Sequence, residues 1–457
     1  MTETRLAPPR RAAQVRPFGR LPFAFGATTF WLLGAGLILL IPAWFDRRAL
    51  AAMLVWDIAV LTMAMLELRE LPAPSDLVLE RRWTGVLSLG EPSTVTIALT
   101  LRSRRWLGPV EVADHSSPTM REVVAVLVLT PGQTAEAIYE VRPRERGNVA
   151  AGVATIRWQG PRRLAERRGI AALDQVVRVY PAREEGRRES LYLIRSRQIA
   201  LEKRRAKHSG AGRDFESLRD HQSGDETRDI CWSAAARRGR LVTKVYQPER
   251  SQAVWLLVDA GRLARARTGS QTMLDRAVTG ALTLAQVAIA AGDKVGLIAY
   301  GRGIQHRLAP SRGGAHLRRL LEALADVQAE AVEASHARAA GELFRLQRRR
   351  ALVIWLTEIA ETASTPEVIE QSAAMLPRHV VLFAVPRHVD LLSTASAVPE
   401  SPQDMYRTVA AQETLDRRET LLAGLRRKGA LVLEATPAEL GGGLVDRYLE
   451  VKERGLF

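Results

Sequence analysis

AVWLLVDAGRLARARTGSQTMLDRAVTGALTLAQVAIAAGDKVGLIAY, residues 253–300, decides the fold of the largest part of this chain. It opens on an apolar run at 253–258 and closes on a second, KVGLIAY, at 294–300. Between them, residues 273–291 carry apolar side chains at helical spacing and stop at Gly292. Two apolar strands joined by an amphipathic helix make one unit of a parallel sheet covered on both faces. The pattern continues, with strands expected at 350–356, 380–385 and 430–434 and helices at 317–327, 366–376, 401–428 and 438–452. Residues 251–457 therefore read as a doubly wound α/β domain. Ligands of such sheets bind beyond the carboxyl ends of the strands.

Upstream of this domain the chain changes character twice. Residues 21–45, LPFAFGATTFWLLGAGLILLIPAWF, carry no charge and are long enough to cross a bilayer of about 30 Å as a helix. Residues 49–66 form a second apolar run with one charge, Asp57. A helical hairpin is expected, turning near 42–48. Arginines crowd the tail at positions 5, 10, 11, 16 and 20, while the turn holds only Arg47 and Arg48. That bias places both ends in the cytoplasm and the turn outside, in a multi-pass protein of the inner (plasma) membrane. The apolar run is too long for a signal peptide, and no small-residue cleavage pattern ends it. Asp57 reads as a neutral or snorkelling acid, or else as a helix–helix contact or proton-linked site.

From about residue 74 to 182, short runs rich in Val, Ile and Leu alternate with turn residues such as Pro131-Gly132 and Arg146-Gly147-Asn148. The runs lie at 76–79, 86–89, 94–101, 122–129, 135–141, 149–158 and 176–180. This spacing predicts a β-sandwich, a spacer or docking module between membrane and α/β domain. Residues 189–207 read as a charged helix.

Next comes GRDFESLRDHQSGDETRDICWSAAARRGRLVTKVY, residues 212–246. Asp225 is a candidate N-cap for a helix at 227–238, Gly239 its stop, and 241–246 a strand. Acids and bases alternate here. Arg213, Arg219 and Arg228 could hold phosphate, but Asp214, Asp220, Asp225 and Asp229 would repel it. Those acids with His221 have no diagnostic metal spacing. The favoured reading is an internal network in which Arg forks meet carboxylates, clasping the helix and an edge strand onto the first strand of the α/β domain. The residues involved are Arg219, Asp225, Arg228, Asp229 and Arg237. A docking face anchored by Phe215 or Trp232 is the alternative.

Glu216-Ser217-Leu218-Arg219, Gly224-Asp225, Arg228, Ile230, Trp232, Ala235, Arg237 and Leu241 carry a resemblance. By these residues the chain resembles the "domain of unknown function 58" family of bacterial membrane-anchored proteins. The resemblance implies two N-terminal spans, a β-sandwich and a von Willebrand factor A-like domain. It also implies a scaffold or adaptor associated with MoxR-type AAA+ ATPases and transglutaminase-like membrane proteins. The expected division is then a basic cytoplasmic tail (1–20), two transmembrane helices (21–66), a β-sandwich (74–182), a helical linker (183–211), the signature (212–250) and the A-like domain (251–457).

A von Willebrand A-type metal site has Asp-x-Ser-x-Ser after the first strand, with a Thr and an Asp from later loops, a set of hard oxygens suited to Mg²⁺. This chain reads Asp259-Ala260-Gly261-Arg262-Leu263, so both serines are replaced. A degenerate site would use Asp259 and Glu358, with Ser311 as a further oxygen, against the charge of Arg262. The favoured expectation is a metal-free edge with Asp259 bonded to loop amides or to Arg262. No cofactor is expected.

Composition narrows the classes further. The 457 residues carry a net charge of +16 and one cysteine, Cys231, which forbids an internal disulfide. Aromatics make up 5%, which gives nucleic acid no stacking platform, whereas a basic domain beside anionic lipid accounts for the charge. No phosphate loop or nucleophile elbow is present. Taken together these point to a non-enzymatic membrane-anchored scaffold whose cytoplasmic domain docks a protein. A Mg²⁺-dependent ligand binder and a nucleic-acid binder are the alternatives.

Overall fold

The computed structural model describes residues 10–19, 23–43, 48–102, 108–115, 123–130, 132–182, 214–222, 227–247, 252–359, 365–436 and 438–457. It divides into two compact units at Tyr180 and Pro181. The linker expected at 183–211 lies outside the described residues.

The first unit is β-rich. One antiparallel sheet runs Arg10–Gln14, Leu77–Thr84, Ser93–Leu101, Thr134–Val141. A second runs Arg16–Pro17, Ala165–Ala171, Ala154–Gln159, Pro109–Asp114, Val123–Val128, and a three-stranded sheet joins Gly147–Ala151, Gln175–Tyr180 and Leu87–Ser88. Burial alternates along the strands, as in Leu77–Thr84, and turns Leu77, Leu79, Ile97 and Leu99 of the first sheet toward Val110, Val112, Ile156 and Trp158 of the second. Arg81 and Asp114, both fully buried, tie these sheets together, and Tyr139 donates to the same carboxylate. Arg81 also reaches the carbonyls of Gly152 and Leu173, so its donors find partners away from water.

Two expectations need correction here. Residues 10–17, read as tail, are strands: Arg10–Gln14 pairs with Leu77–Thr84, and Arg16–Pro17 with the Ala165–Ala171 strand. Their arginines face solvent while Val15 is buried, the charged habit of edge strands that sequence reading takes for a membrane flank. Phe23–Phe25, read as the start of a span, is also strand. Helix begins only at Ala27, and the run Ala27–Gly36, Leu37–Leu39, Leu40–Ala43 is followed by a helix from Arg48 to Glu70, four residues past the expected end.

Those extra residues lock the helices to the β-rich unit. Glu67, 1% exposed, accepts the amides of Arg162 and Leu164 at 2.8 and 2.9 Å. From the other helix, Thr29 donates to the Leu164 carbonyl at 2.6 Å. A Cβ at Gly26 or Gly160 would collide with the Arg163 carbonyl or with Glu67, so both approaches require glycine. Where the helices meet, Trp56 donates to the Leu32 carbonyl and Gly36 lies against Trp56 and Asp57.

The second unit is built on six strands in the order Ile304–Ser311, Lys294–Tyr300, Ala253–Asp259, Leu352–Leu356, Val380–Pro386, Leu431–Ala435. All are parallel except Ile304–Ser311, an antiparallel edge. Along the central strand Val254, Leu256 and Val258 pack into one core and Trp255 and Leu257 into the other. Helices Met273–Ala290 and Leu440–Glu453 cover the first face; His336–Leu346, Thr365–Met375 and Pro402–Arg427 cover the second. The Met273–Ala290 helix is apolar enough to span a membrane but is a core helix, with 72% of its apolar window buried. Near the amino ends of the strands, Lys452 and Tyr448 both donate to buried Asp293. The chain steps from Ala253–Asp259 to one side and later to Leu352–Leu356 on the other. This reversal opens a crevice at the carboxyl ends of those two strands.

The signature stretch is built differently from its reading. Asp214–Asp220 and Val242–Gln247 pair antiparallel as a separate two-stranded sheet, so neither strand extends the six-stranded one. The expected helix at 227–238 is a 3₁₀ turn, Thr227–Asp229, and a short helix, Trp232–Arg238, with Cys231 at its N-cap. Gly239 ends it in the left-handed region, φ 65°. Asp225, expected as the cap, lies outside the described residues.

Candidate functional site at the carboxyl edge of the sheet

Asp259 ends the first strand of the α/β domain, and Thr357 and Glu358 follow the Leu352–Leu356 strand beside it, so the fold brings them to the crevice. Asp259 is 8% exposed. Its Oδ1 accepts the Gly261 amide at 2.8 Å and its Oδ2 the Thr357 hydroxyl at 2.6 Å. Burial pushes its carboxyl above the ordinary range, against the pull of nearby His336, Thr357 and Gly261. Arg262 does not reach it; it pairs with Glu333 at 2.8 Å. Behind Asp259, His336 and Tyr300 share a buried hydrogen bond of 2.9 Å, and Trp355 donates to the Tyr300 hydroxyl at 2.6 Å. Burial lowers His336, which favours the neutral ring.

Glu358 is held by different elements. Its Oε1 accepts Arg418 Nη1 at 2.6 Å and lies 3.2 Å from His388 Nε2. Arg418, in the Pro402–Arg427 helix, also donates to the Pro386 carbonyl. Glu358 lines a cleft of about 710 Å³ with Met273, Ile359, Val389, Ala410 and Arg417 among its walls. Asp259, Thr357 and Glu358 also border a cavity of about 20 Å³.

These residues do not fit a divalent cation. Each oxygen of Asp259 already accepts a hydrogen bond, from Gly261 and Thr357, and Glu358 Oε1 faces a guanidinium. Where the metal pattern has serine, Gly261 sits so tightly that a Cβ would come within 2.8 Å of the Ala334 amide. Ser311 pairs with Val295, at the amino end of its neighbouring strand, whereas Asp259 pairs with Tyr300 at the carboxyl end. Among the described residues no cluster of three His, Cys, Asp or Glu could hold a metal.

None of the described signature residues lines this cleft. Arg219 donates to the Asp220 carbonyl and Arg237 to that of Ser233, both from exposed positions. Asp220 pairs with Arg240 at 2.7 Å, with both side chains exposed. Asp229 lies in the 3₁₀ turn with Arg228, and Phe215 is in the strand opposite Tyr246. Trp232, 67% exposed, opens the short helix. The described contacts of this stretch are backbone pairing and these exposed side-chain bonds; Asp225 and the side chain of Arg228, which the expected Arg–carboxylate network needs, lie outside the described residues. Sequence reading passed over Arg418 and His388, because neither sits in a motif.

Residues 217–391 match the family Protein of unknown function DUF58. The chain carries a DUF58 domain. The match runs from the signature hairpin through Asp259 and Glu358 to His388, and Arg418 lies beyond it. The fold is similar to that of the SpRpn10 VWA domain, at 12% identity and TM-score 0.27 over 43% of this chain and 95% of that one. Proximal thread matrix protein 1 from the mussel byssus gives 9% and 0.29 over 43% of this chain and 46% of that one. The conserved hypothetical protein BatB from Bacteroides thetaiotaomicron gives 12% and 0.29 over 45% and 100%. No curated protein matches.

Proposed function

We propose that this DUF58 protein is a non-enzymatic membrane-anchored scaffold: its helical pair lies in the bilayer, and its α/β domain docks a cytoplasmic protein. The observation that carries the reading is in the first unit. The chain on either side of the helices is stitched into one sheet, Arg10–Gln14 against Leu77–Thr84, so both helix ends return to the same body. Between these flanks the helices expose Phe30, Trp31, Ile41, Leu54, Val55 and Ile58, and only 11% of the second helix's apolar window is buried. Its 23 residues span roughly 35 Å at 1.5 Å per residue, enough for the hydrocarbon layer. An apolar surface of this extent calls for lipid or protein around it. Within this reading the β-rich unit is a β-sandwich spacer on the cytoplasmic side.

The docking role is supported by the crevice. Asp259 and Glu358 are committed to internal hydrogen bonds and an ion pair, which suits a fixed binding edge better than turnover. The family resemblance makes a MoxR-type AAA+ ATPase or a transglutaminase-like membrane protein the partner to look for. Affinity purification of the full chain from detergent-solubilised native membranes tests it. A stoichiometric partner retained through washing is expected; repeated recovery of the protein alone would contradict the scaffold.

A further inference from the structure

Where the two helices leave the β-rich body, a tight turn ties to both of them. It is residues 160–164, joining Ala154–Gln159 to Ala165–Ala171. The Arg163 amide donates to the Gly160 carbonyl at 3.0 Å and closes the turn, with Pro161 at its first corner. Glu67 of one helix accepts the Arg162 and Leu164 amides. At the start of the other, Thr29 and the Gly26 amide both donate to the Leu164 carbonyl. The backbone of the turn is thus held in place from both helices.

What the turn displays is two unmatched cations. Arg163 has φ 56°, and among the described residues no other non-glycine residue has a positive φ. A left-handed hairpin position ordinarily goes to glycine or asparagine, because an L side chain is strained there. Arg162 and Arg163 are both exposed, and neither guanidinium has a hydrogen bond or ion pair among the described residues. The strand arginines that follow are already engaged: Arg168 meets Glu166 at 2.6 Å, and Arg167 donates to the Leu68 carbonyl at 3.1 Å. Glu67, beside the turn, spends both oxygens on backbone amides.

We propose that Arg162 and Arg163 form a headgroup site for an anionic phospholipid of the surrounding bilayer, their guanidiniums holding its phosphate oxygens. This rests on the reading of the helical pair as membrane-spanning and adds a lipid preference to it. The level of the turn along the helices favours lipid over a soluble anion. Trp31, 81% exposed, lies two residues beyond Thr29, about 3 Å along its helix. On the other helix Met65 and Leu66, both exposed, directly precede Glu67. The turn therefore stands where exposed apolar helix surface gives way to the β-rich body, the level of headgroups and of interfacial tryptophan. Guanidinium forks match phosphate oxygens, and basic sites at the cytoplasmic ends of membrane helices recognise anionic headgroups. A zwitterionic lipid offers the same phosphate but brings its own cation against the arginines.

The test is native mass spectrometry of the full chain, released from detergent micelles with graded phosphatidylglycerol or phosphatidylcholine. The wild type should bind phosphatidylglycerol at least tenfold more tightly. Arg163→Gly and Arg162→Gln should each weaken that binding at least threefold. Arg163→Gly should also melt no lower than the wild type, since glycine adopts this backbone without strain. Arg168→Gln removes a cation that already answers Glu166 and should leave the preference intact. Equal affinity for the two lipids, binding indifferent to both turn substitutions, or an equal loss in Arg168→Gln would each overturn the site. Displacement of phosphatidylglycerol by millimolar inorganic phosphate would overturn the lipid as its occupant. A chain that stays in the membrane pellet but shows no preference fails this proposal alone. Recovery in the soluble fraction would overturn the membrane reading and this site with it.

Discussion

Asp259 sits in the crevice with two donors, and Thr357 supplies one of them across 98 residues of sequence. Removing that hydroxyl leaves a buried carboxylate oxygen unpaired, at a cost of about 1–3 kcal/mol. Thr357→Val should lower the free energy of urea unfolding of the purified protein by that amount, and Thr357→Ser should restore most of it; equal stabilities for all three would show that the bond contributes nothing. Asp259 itself should give a pH signature. Because burial raises its folded pKa, its contribution is fully present below the unfolded value of about 4 and is lost as pH rises through the raised value. Asp259→Asn can accept from Gly261 and donate to the Thr357 oxygen without a charge. Its melting temperature should therefore gain on the wild type as pH rises above about 4. Parallel curves for the two proteins would argue against a raised carboxyl. Asp259 stood out in the sequence as the end of an apolar strand. Its partner was not legible as such, since a threonine after a distant strand gains meaning only when the two strands lie side by side.

Among the elements, the signature hairpin is where the reading and the structure differ most. Dense alternation of Arg and Asp suggested an ion-pair clasp; the contacts among the described residues include the ladder between Asp214–Asp220 and Val242–Gln247, the bridge from Ile230 to Thr243, and buried Val242. Exposed pairs such as Arg240–Asp220 contribute under about 1 kcal/mol. Arg240→Ala should leave the urea midpoint nearly unchanged, while Ile230→Ala should cost about 2 kcal/mol or more. The reverse order would restore the ionic clasp. Elsewhere, legibility followed burial. The apolar strands read at 253–258, 294–300, 350–356 and 380–385 match strands of the structure to within two residues, because both of their faces are covered. Ile304–Ser311 was missed because it is an edge strand whose residues are half exposed. Arg10–Gln14 was taken for tail for the same reason. In the Pro402–Arg427 helix nothing separates Arg418 from Arg417 in sequence; only its placement over Glu358 buries one and exposes the other.

At the scale of the whole molecule, the proposed scaffold depends on the helical pair lying in a membrane with the α/β domain on its cytoplasmic side. The helical pair leaves and re-enters one β-rich body, and the net charge of +16 suits a domain facing anionic lipid. The chain supplies its own reporter. Cys231 is its single cysteine, partly exposed at the start of the short helix. Hydrogen bonds from Ser233 and the Ala234 amide hold its thiol below the usual range, so it reacts readily with maleimides. The decisive measurement is labelling of Cys231 by a membrane-impermeant maleimide, in intact spheroplasts and in inverted membrane vesicles of cells making the native chain. The account predicts that Cys231 is protected in spheroplasts, labelled in inverted vesicles, and recovered in the membrane pellet. Labelling in intact spheroplasts, or recovery in the soluble fraction, would contradict it.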